Sequence, residues 1–212
     1  MIGIKFFNAF VKITGYPVQK LVFRTKVSYE DKTVQSRRIQ GAAIVVSNHT
    51  SVWDYGILLF VFFFRTLRTQ MAEVLFRKQP LGLFLKMMGG LRVDRGSNQF
   101  GFLSESERIL DRKGTLLIFP ESRLPLKQEK RPLPFKPGAA YLALTSGAPV
   151  IPVYTNGAYF CKKRCRVMIG TPMNVRELYD DSLSEKENLE RISGMMREKI
   201  IRLEEQLHEQ TK

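Results

Sequence analysis

Along this chain, apolar positions recur at helical spacing near both ends and form short uninterrupted runs between them. At the N-terminus Ile2, Phe6, Phe10 and Ile13 fall at intervals of four, four and three, with Phe7 beside them and Lys5 and Lys12 at the flanks. That pattern predicts an amphipathic helix of the interfacial kind. Near the C-terminus Leu189, Ile192, Met196, Ile200, Leu203 and Leu207 keep the helical period, and Ser184 with Glu187 supplies a capping box ahead of them. Leu21 to Tyr29 alternates as a half-buried strand would, and 31–40 is a polar connection. Gly41–Ser47, Leu91–Arg95, Thr115–Phe119 and Val150–Tyr154 have the length and composition of buried strands, and Arg166–Ile169 adds one more. Helices are predicted from Asp54 onward, between Ser97 and Gly114, and over Gly138–Ser146.

Strands alternating with helices predict an α/β fold: one domain with a central mixed, mostly buried β-sheet flanked by helices. The 212 residues fit one domain with modest appendages. The expected division is 1–40 as an N-terminal amphipathic, basic, membrane-associating segment, 41–180 as the α/β domain, and 181–212 as a C-terminal amphipathic helix packed on it. The longest apolar run, Tyr55–Phe64, is ten residues, about half of what a membrane-spanning helix needs. The N-terminal apolar stretch is broken by Lys5, Asn8 and Lys12 and lacks a cleavage site, so neither a transmembrane helix nor a signal peptide is predicted. Phe60, Phe62, Phe63 and Phe64 read as core before they read as a lipid contact.

Charge changes this picture. Thirty-four Lys and Arg against 20 Asp and Glu give +14, and the excess lies outside the acidic C-terminal helix. Such a balance favours anionic partners, among them a phospholipid surface, a phosphorylated metabolite or an acidic carrier protein. No nucleic-acid recognition motif accompanies the charge, and no nucleic-acid partner is expected. Cys161 and Cys165 lack a second Cys or His pair nearby and read as free thiols of a reducing compartment.

Of the two histidines, His208 falls in the polar last turn of the C-terminal helix. His49 directly follows a predicted buried strand, at the carboxyl edge where open α/β sheets place ligands. Asp54 comes five residues later, at the start of a helix, where its carboxylate can turn back to the ring. A carboxylate on one ring nitrogen fixes the tautomer and leaves the other nitrogen to take a proton from a substrate hydroxyl. No metal is implied, since neither a thiol nor a second His stands near His49 in sequence.

Three further blocks occur at predicted strands or strand ends: Gly89-Gly-Leu-Arg-Val-Asp-Arg95, Phe119-Pro-Glu-Ser-Arg123 and Val150-Ile-Pro-Val153. With Asn48–Asp54 they resemble, in order, the four blocks of the glycerolipid acyltransferases, most closely the 1-acylglycerol-3-phosphate acyltransferases. The resemblance runs from about Val45 to Val153. It implies His49 as general base, Asp54 as its partner, and Gly89, Arg95, Glu121, Arg123 and Pro152 as substrate-binding positions. It also implies transfer of an acyl group from acyl-CoA or acyl-carrier-protein to the free hydroxyl of 1-acylglycerol-3-phosphate, giving phosphatidic acid without a further cofactor. The enzyme would sit on the cytoplasmic side of an anionic membrane, peripheral or monotopic.

The third block departs from the family's Glu-Gly-Thr-Arg: here it is Glu-Ser-Arg, so Arg123 arrives two positions after the glutamate. The acceptor therefore stays open between 1-acylglycerol-3-phosphate and another lysophospholipid, glycerol-3-phosphate or an amino-lipid. A non-catalytic lipid-binding module is the remaining alternative.

Overall fold

In the computed structural model, residues 2–93, 99–161 and 163–210 are described. The chain opens with helix α1 (Ile2–Val22) and the short strand β1 (Lys26–Tyr29). Strand β2 (Ala43–Ser47), helix α2 (Asp54–Val61), strand β3 (Leu67–Ala72), helices α3 (Glu73–Arg77) and α4 (Leu81–Met88) and strand β4 (Leu91–Val93) come next. Helix α5 (Gln99–Asp111), strand β5 (Thr115–Ile118), helix α6 (Gly138–Ser146) and strands β6 (Val150–Thr155) and β7 (Arg166–Ile169) lead to the long helix α7 (Glu185–Glu209).

Among the described residues seven strands form one sheet in the order β1-β7-β6-β2-β5-β3-β4. All pairings are parallel except β6 with β7, so the sheet is mixed. Alternation along the central strands sends side chains to two separate cores. Ile44, Val46, Leu116, Ile118 and Val150 pack on one face with residues of α5, α6 and α7. Ala43, Val45, Leu117, Ile151 and Val153 pack on the other with Ile57, Leu58, Val61 and Phe62 from α2 and its end. Helices on both faces explain why these strands are continuous apolar runs. The capping box before α7 forms as expected, with Ser184 Oγ accepting from Glu187 N–H and the Glu187 carboxylate accepting from Ser184 N–H.

Three segments differ from the sequence expectation. Residues 21–22 still belong to α1, so the strand expected over 21–29 shrinks to Lys26–Tyr29. Strand β3 and helices α3 and α4 fill a stretch in which no element was predicted. Of the phenylalanines read as core, Phe62 is buried, whereas Phe64 is 68% exposed.

Helix α1 carries its apolar stripe on the outside, and what differs from expectation is the placement of Lys12. The buried positions of α1 are Asn8, Lys12 and Gln19, while Ile2, Phe6, Phe10, Ile13, Val18 and Leu21 are exposed. Lys12, expected at the flank of an apolar face, instead points into the domain. Its ammonium donates to the carbonyls of Phe62, Phe63 and Arg65 at 3.2, 3.0 and 2.6 Å, the groups left over where α2 ends. Asn8 Nδ2 donates to the carbonyl of Met88 at the end of α4. Polar side chains thus satisfy the carboxyl ends of two helices, and the apolar side of α1 is left outward.

Candidate active site

Strand β2 ends at Ser47, and Asn48 anchors the chain just beyond it. Its side-chain carbonyl accepts from Thr155 N–H at 2.8 Å and its amide donates to the Thr155 carbonyl at 2.9 Å, extending the β2–β6 pairing by one side chain. The chain then turns through 49–53 into α2. His49 and Asp54 meet there, with Nδ1 of the ring 2.8 Å from Oδ2 of the carboxylate. Asp54 is fully buried and the His49 side chain is 20% exposed.

Four further donors converge on Asp54. Oδ2 accepts from the backbone N–H groups of Thr50 at 2.6 Å and Ser51 at 2.8 Å. Oδ1 accepts from the Thr50 hydroxyl at 2.8 Å and the Tyr159 hydroxyl at 2.6 Å. The carboxylate also sits in the first turn of α2, where the helix dipole favours negative charge. Because a carboxylate only accepts, Nδ1 carries the ring hydrogen and Nε2 is an acceptor. No hydrogen bond to Nε2 occurs among the described residues. One face of the imidazole stacks on Phe119, with ring centroids 4.4 Å apart and planes inclined by 22°. The pair can thus accept a proton at Nε2 and stabilise the imidazolium through Asp54.

Glu121, expected among the substrate-binding positions, turns inward. Its Oε1 accepts from His49 N–H at 2.7 Å and its Oε2 from Leu133 N–H at 2.8 Å. It is buried, and burial pushes its carboxyl above the ordinary glutamate value, partly offset by those two N–H bonds. In this structure Glu121 therefore braces the backbone of His49.

Arg123 lies on the surface, and Glu129 takes both arms of its guanidinium at 2.6 Å each. The hydrogen bonds from Arg123 and from Leu126 N–H hold the Glu129 carboxyl down to about 2. The site thus keeps Arg123 engaged by a carboxylate.

Gly89 and Pro152 are not brought to His49. Gly89 ends α4 with φ +85°, its carbonyl accepting from Arg68 Nε at 2.6 Å, and it precedes β4, three strands across the sheet from β2. That is roughly 14 Å at the spacing of neighbouring strands. Pro152 is paired with Val46 inside the sheet, and its carbonyl accepts from Gly170 N–H. Arg95 lies outside the described residues.

Sequence reasoning missed Tyr159 and Glu129. Tyr159 comes four residues after β6, so it emerges at the same carboxyl edge of the sheet as His49, a signal the strand prediction already contained. Its hydroxyl also meets Thr155 Oγ1 at 2.8 Å, and burial together with the charge of Asp54 raises its ionisation far above the usual tyrosine value. Glu129 sits among Lys127, Lys130 and Arg131 and carries no such signal. Of the two cysteines, Cys161 is exposed and Cys165 is buried, its thiol pushed up to about 11 by burial. Among the described residues no group of three or more His, Cys, Asp or Glu side chains converges as a metal site.

Both the sequence and the fold are similar to those of known proteins. The profile of the Acyltransferase family matches residues 24–156, and the chain belongs to that family. Two curated relatives illustrate the likeness. The 1-acyl-sn-glycerol-3-phosphate acyltransferase of Limnanthes douglasii is 29% identical over 60% of this chain and 47% of its own length. The human 1-acyl-sn-glycerol-3-phosphate acyltransferase beta is 32% identical over 68% of this chain and 51% of its own. The chain therefore spans about half the length of the curated relatives it matches. The crystal structure of the 1-acyl-sn-glycerophosphate (LPA) acyltransferase PlsC from Thermotoga maritima shares the fold, with a TM-score of 0.68 at 20% identity over 95% of this chain and 80% of that one.

Proposed function

We propose that the protein is an O-acyltransferase that moves a fatty acyl group from acyl-CoA or acyl-carrier-protein to the free hydroxyl of 1-acylglycerol-3-phosphate, giving phosphatidic acid. The observation that carries this reading is the 2.8 Å contact between His49 Nδ1 and Asp54 Oδ2, which leaves Nε2 as an acceptor within the segment that matches the family. Nε2 takes the proton of the acceptor hydroxyl, and its oxygen attacks the thioester carbon. The tetrahedral oxyanion collapses, the ester C–O bond remains, and the departing thiolate takes the proton back from the imidazolium. Asp54 stays ionised throughout and stabilises the cation. Arg123 holds the acceptor phosphate once Glu129 has yielded it, and Arg95 contributes a second charge.

Catalysis takes place on the cytoplasmic side of an anionic membrane, to which the enzyme is peripherally bound. The outward side of α1 supports this, since Ile2 and Phe6 are 87% and 76% exposed. Phe84 beside Phe7, Leu83 on α4, and Trp53 and Phe160 beside the His49 loop continue the apolar surface. Burying it in the headgroup boundary releases apolar area from water, and nearby lysines meet the phosphates. Among the described residues no helix is long and apolar enough to cross a membrane.

The engagement of Arg123 by Glu129 favours, as a second reading, an acceptor without a phosphate monoester. Ester formation with one long-chain acyl-CoA and lysophosphatidic acid, glycerol-3-phosphate or lysophosphatidylcholine separates the two. Preference for lysophosphatidic acid is expected, and equal turnover of lysophosphatidylcholine would refute the phosphate-holding role.

A further inference from the structure

A cavity of about 460 Å³ opens between the first half of α1, the loop joining α2 to β3, and the turn from α5 into β5. Lys5, Lys12, Arg65, Arg68, Arg112 and Lys113 line it, and no Asp or Glu does among the described residues. Lys12 and Arg65 spend their hydrogen bonds on neutral groups. Lys12 is held by three carbonyls, and Arg65 donates to the Thr115 hydroxyl and to the carbonyls of Gly41 and Lys113. Both guanidinium and ammonium are thus fixed in place with no carboxylate paired to either among the described residues. Burial accordingly lowers the ionisation of both, with no carboxylate opposing it. Lys5 and Lys113 are exposed at the rim and have no ion-pair partner among the described residues. Arg68, also in the lining, is different, since Glu105 pairs with it at 3.1 Å.

The rim is also apolar. Ile13 and Phe64, 66% and 68% exposed, border the cavity, and Ile13 belongs to the outward apolar side of α1. The cavity lies away from the chemistry: it touches Thr115 at the start of β5, whereas His49 comes after the far end of β2, which runs parallel to β5 in register. Four residues of strand separate the two levels, roughly 13 Å.

We propose that this cavity is a second lipid site, which takes the phosphate-bearing headgroup of an anionic membrane phospholipid that is not the substrate. The fixed charges of Lys12 and Arg65 lie at the wall, Lys5 and Lys113 close on the phosphate, and the acyl chains leave over Ile13 and Phe64 onto the apolar side of α1. Its size is that of a small-molecule pocket. A free phosphate would gain nothing from the apolar rim, and a cavity of about 460 Å³ is too small to admit a carrier-protein helix, which is about 10 Å across. The proposal rests on the membrane-facing part of the proposed function and adds to it a discrete, saturable site.

The test uses a soluble probe, dihexanoyl-phosphatidylglycerol below its micelle concentration, with binding measured by titration calorimetry. Dihexanoyl-phosphatidylcholine and inorganic phosphate serve as comparators. Lys5→Gln with Lys113→Gln removes the two rim charges, Lys186→Gln with Arg202→Gln removes two exposed charges from α7 on the other side of the sheet, and Arg123→Gln reports on the acceptor site. Saturable binding of the phosphatidylglycerol is expected, about tenfold or more weaker in the rim variant and changed by no more than about twofold in the other two. Amine labelling of the wild type with and without the probe gives a reading that needs no variant, with Lys5 and Lys113 protected. Equal loss in the α7 variant, loss in Arg123→Gln alone, inorganic phosphate binding as tightly as the lipid, or a rim variant that loses only acyl-carrier-protein would each overturn the proposal. Vesicle sedimentation separates the two readings. Wild type and rim variant both sedimenting with neutral vesicles, without probe binding, would refute the second site alone. Probe binding without sedimentation would refute membrane association alone.

Discussion

The Tyr159 hydroxyl donates to Oδ1 of Asp54 at 2.6 Å, on the oxygen opposite the one that meets His49. The two side chains are 105 positions apart in sequence, and the bond ties the loop after β6 to the first turn of α2. Tyr159→Phe keeps the ring and removes the donor that helps fix Asp54 behind His49, so kcat is expected to fall severalfold while KM for the acceptor changes little. A wild-type kcat in the folded variant would mean that Tyr159 only packs.

Glu129 competes with any anion for Arg123. Glu129→Gln keeps the size of the side chain and removes the charge that holds the guanidinium, so KM for lysophosphatidic acid should fall severalfold while kcat stays near the wild-type value. Steady-state kinetics decide this, and a KM that rises or holds would show that the acceptor does not use Arg123.

Burial lowers the Lys12 ammonium from its ordinary 10.5 to about 8. Between those values the unfolded chain binds the proton that the folded chain has released, so stability rises with pH across that window. Below it both states are protonated and the contribution is constant. In urea unfolding, the advantage of wild type over Lys12→Met should grow between pH 8 and 10.5 by on the order of 3 kcal/mol. A difference independent of pH would contradict the inward placement of Lys12.

The outward side of α1 makes a separable prediction. Phe6 and Phe10 are 76% and 56% exposed, so replacing both with Ser should change unfolding stability by no more than about 0.5 kcal/mol per site. Sedimentation with phospholipid vesicles should nevertheless fall sharply. A large loss of stability with membrane binding intact would mean that this side packs on protein.

Much of the fold was legible because buried parallel strands leave short apolar runs of fixed length. Val150–Thr155, Arg166–Ile169 and Gly138–Ser146 lie where the runs and turn residues put them. The His49–Asp54 contact was legible too, since it joins residues five apart across a strand end and a helix start. Less legible was the inward turn of Lys12, which the helical period puts at the flank of the apolar stripe of α1. Here carbonyls at the ends of α2 and α4 recruit Lys12 and Asn8, and tertiary hydrogen bonding decides the orientation. The inward turn of Glu121 could not be read from its block either. Its partners are backbone N–H groups of His49 and Leu133, donors that every residue but proline carries.

In the proposed reaction His49 Nε2 accepts the acceptor's proton with Asp54 behind it. The most direct measurement is ester formation from lysophosphatidic acid and a long-chain acyl-CoA in vesicles by wild type, His49→Ala and Asp54→Asn, with folding checked by circular dichroism. Loss of turnover by about a hundredfold or more is expected for folded His49→Ala, and a comparable loss for Asp54→Asn. Wild-type turnover in a folded His49→Ala protein would contradict that role of His49.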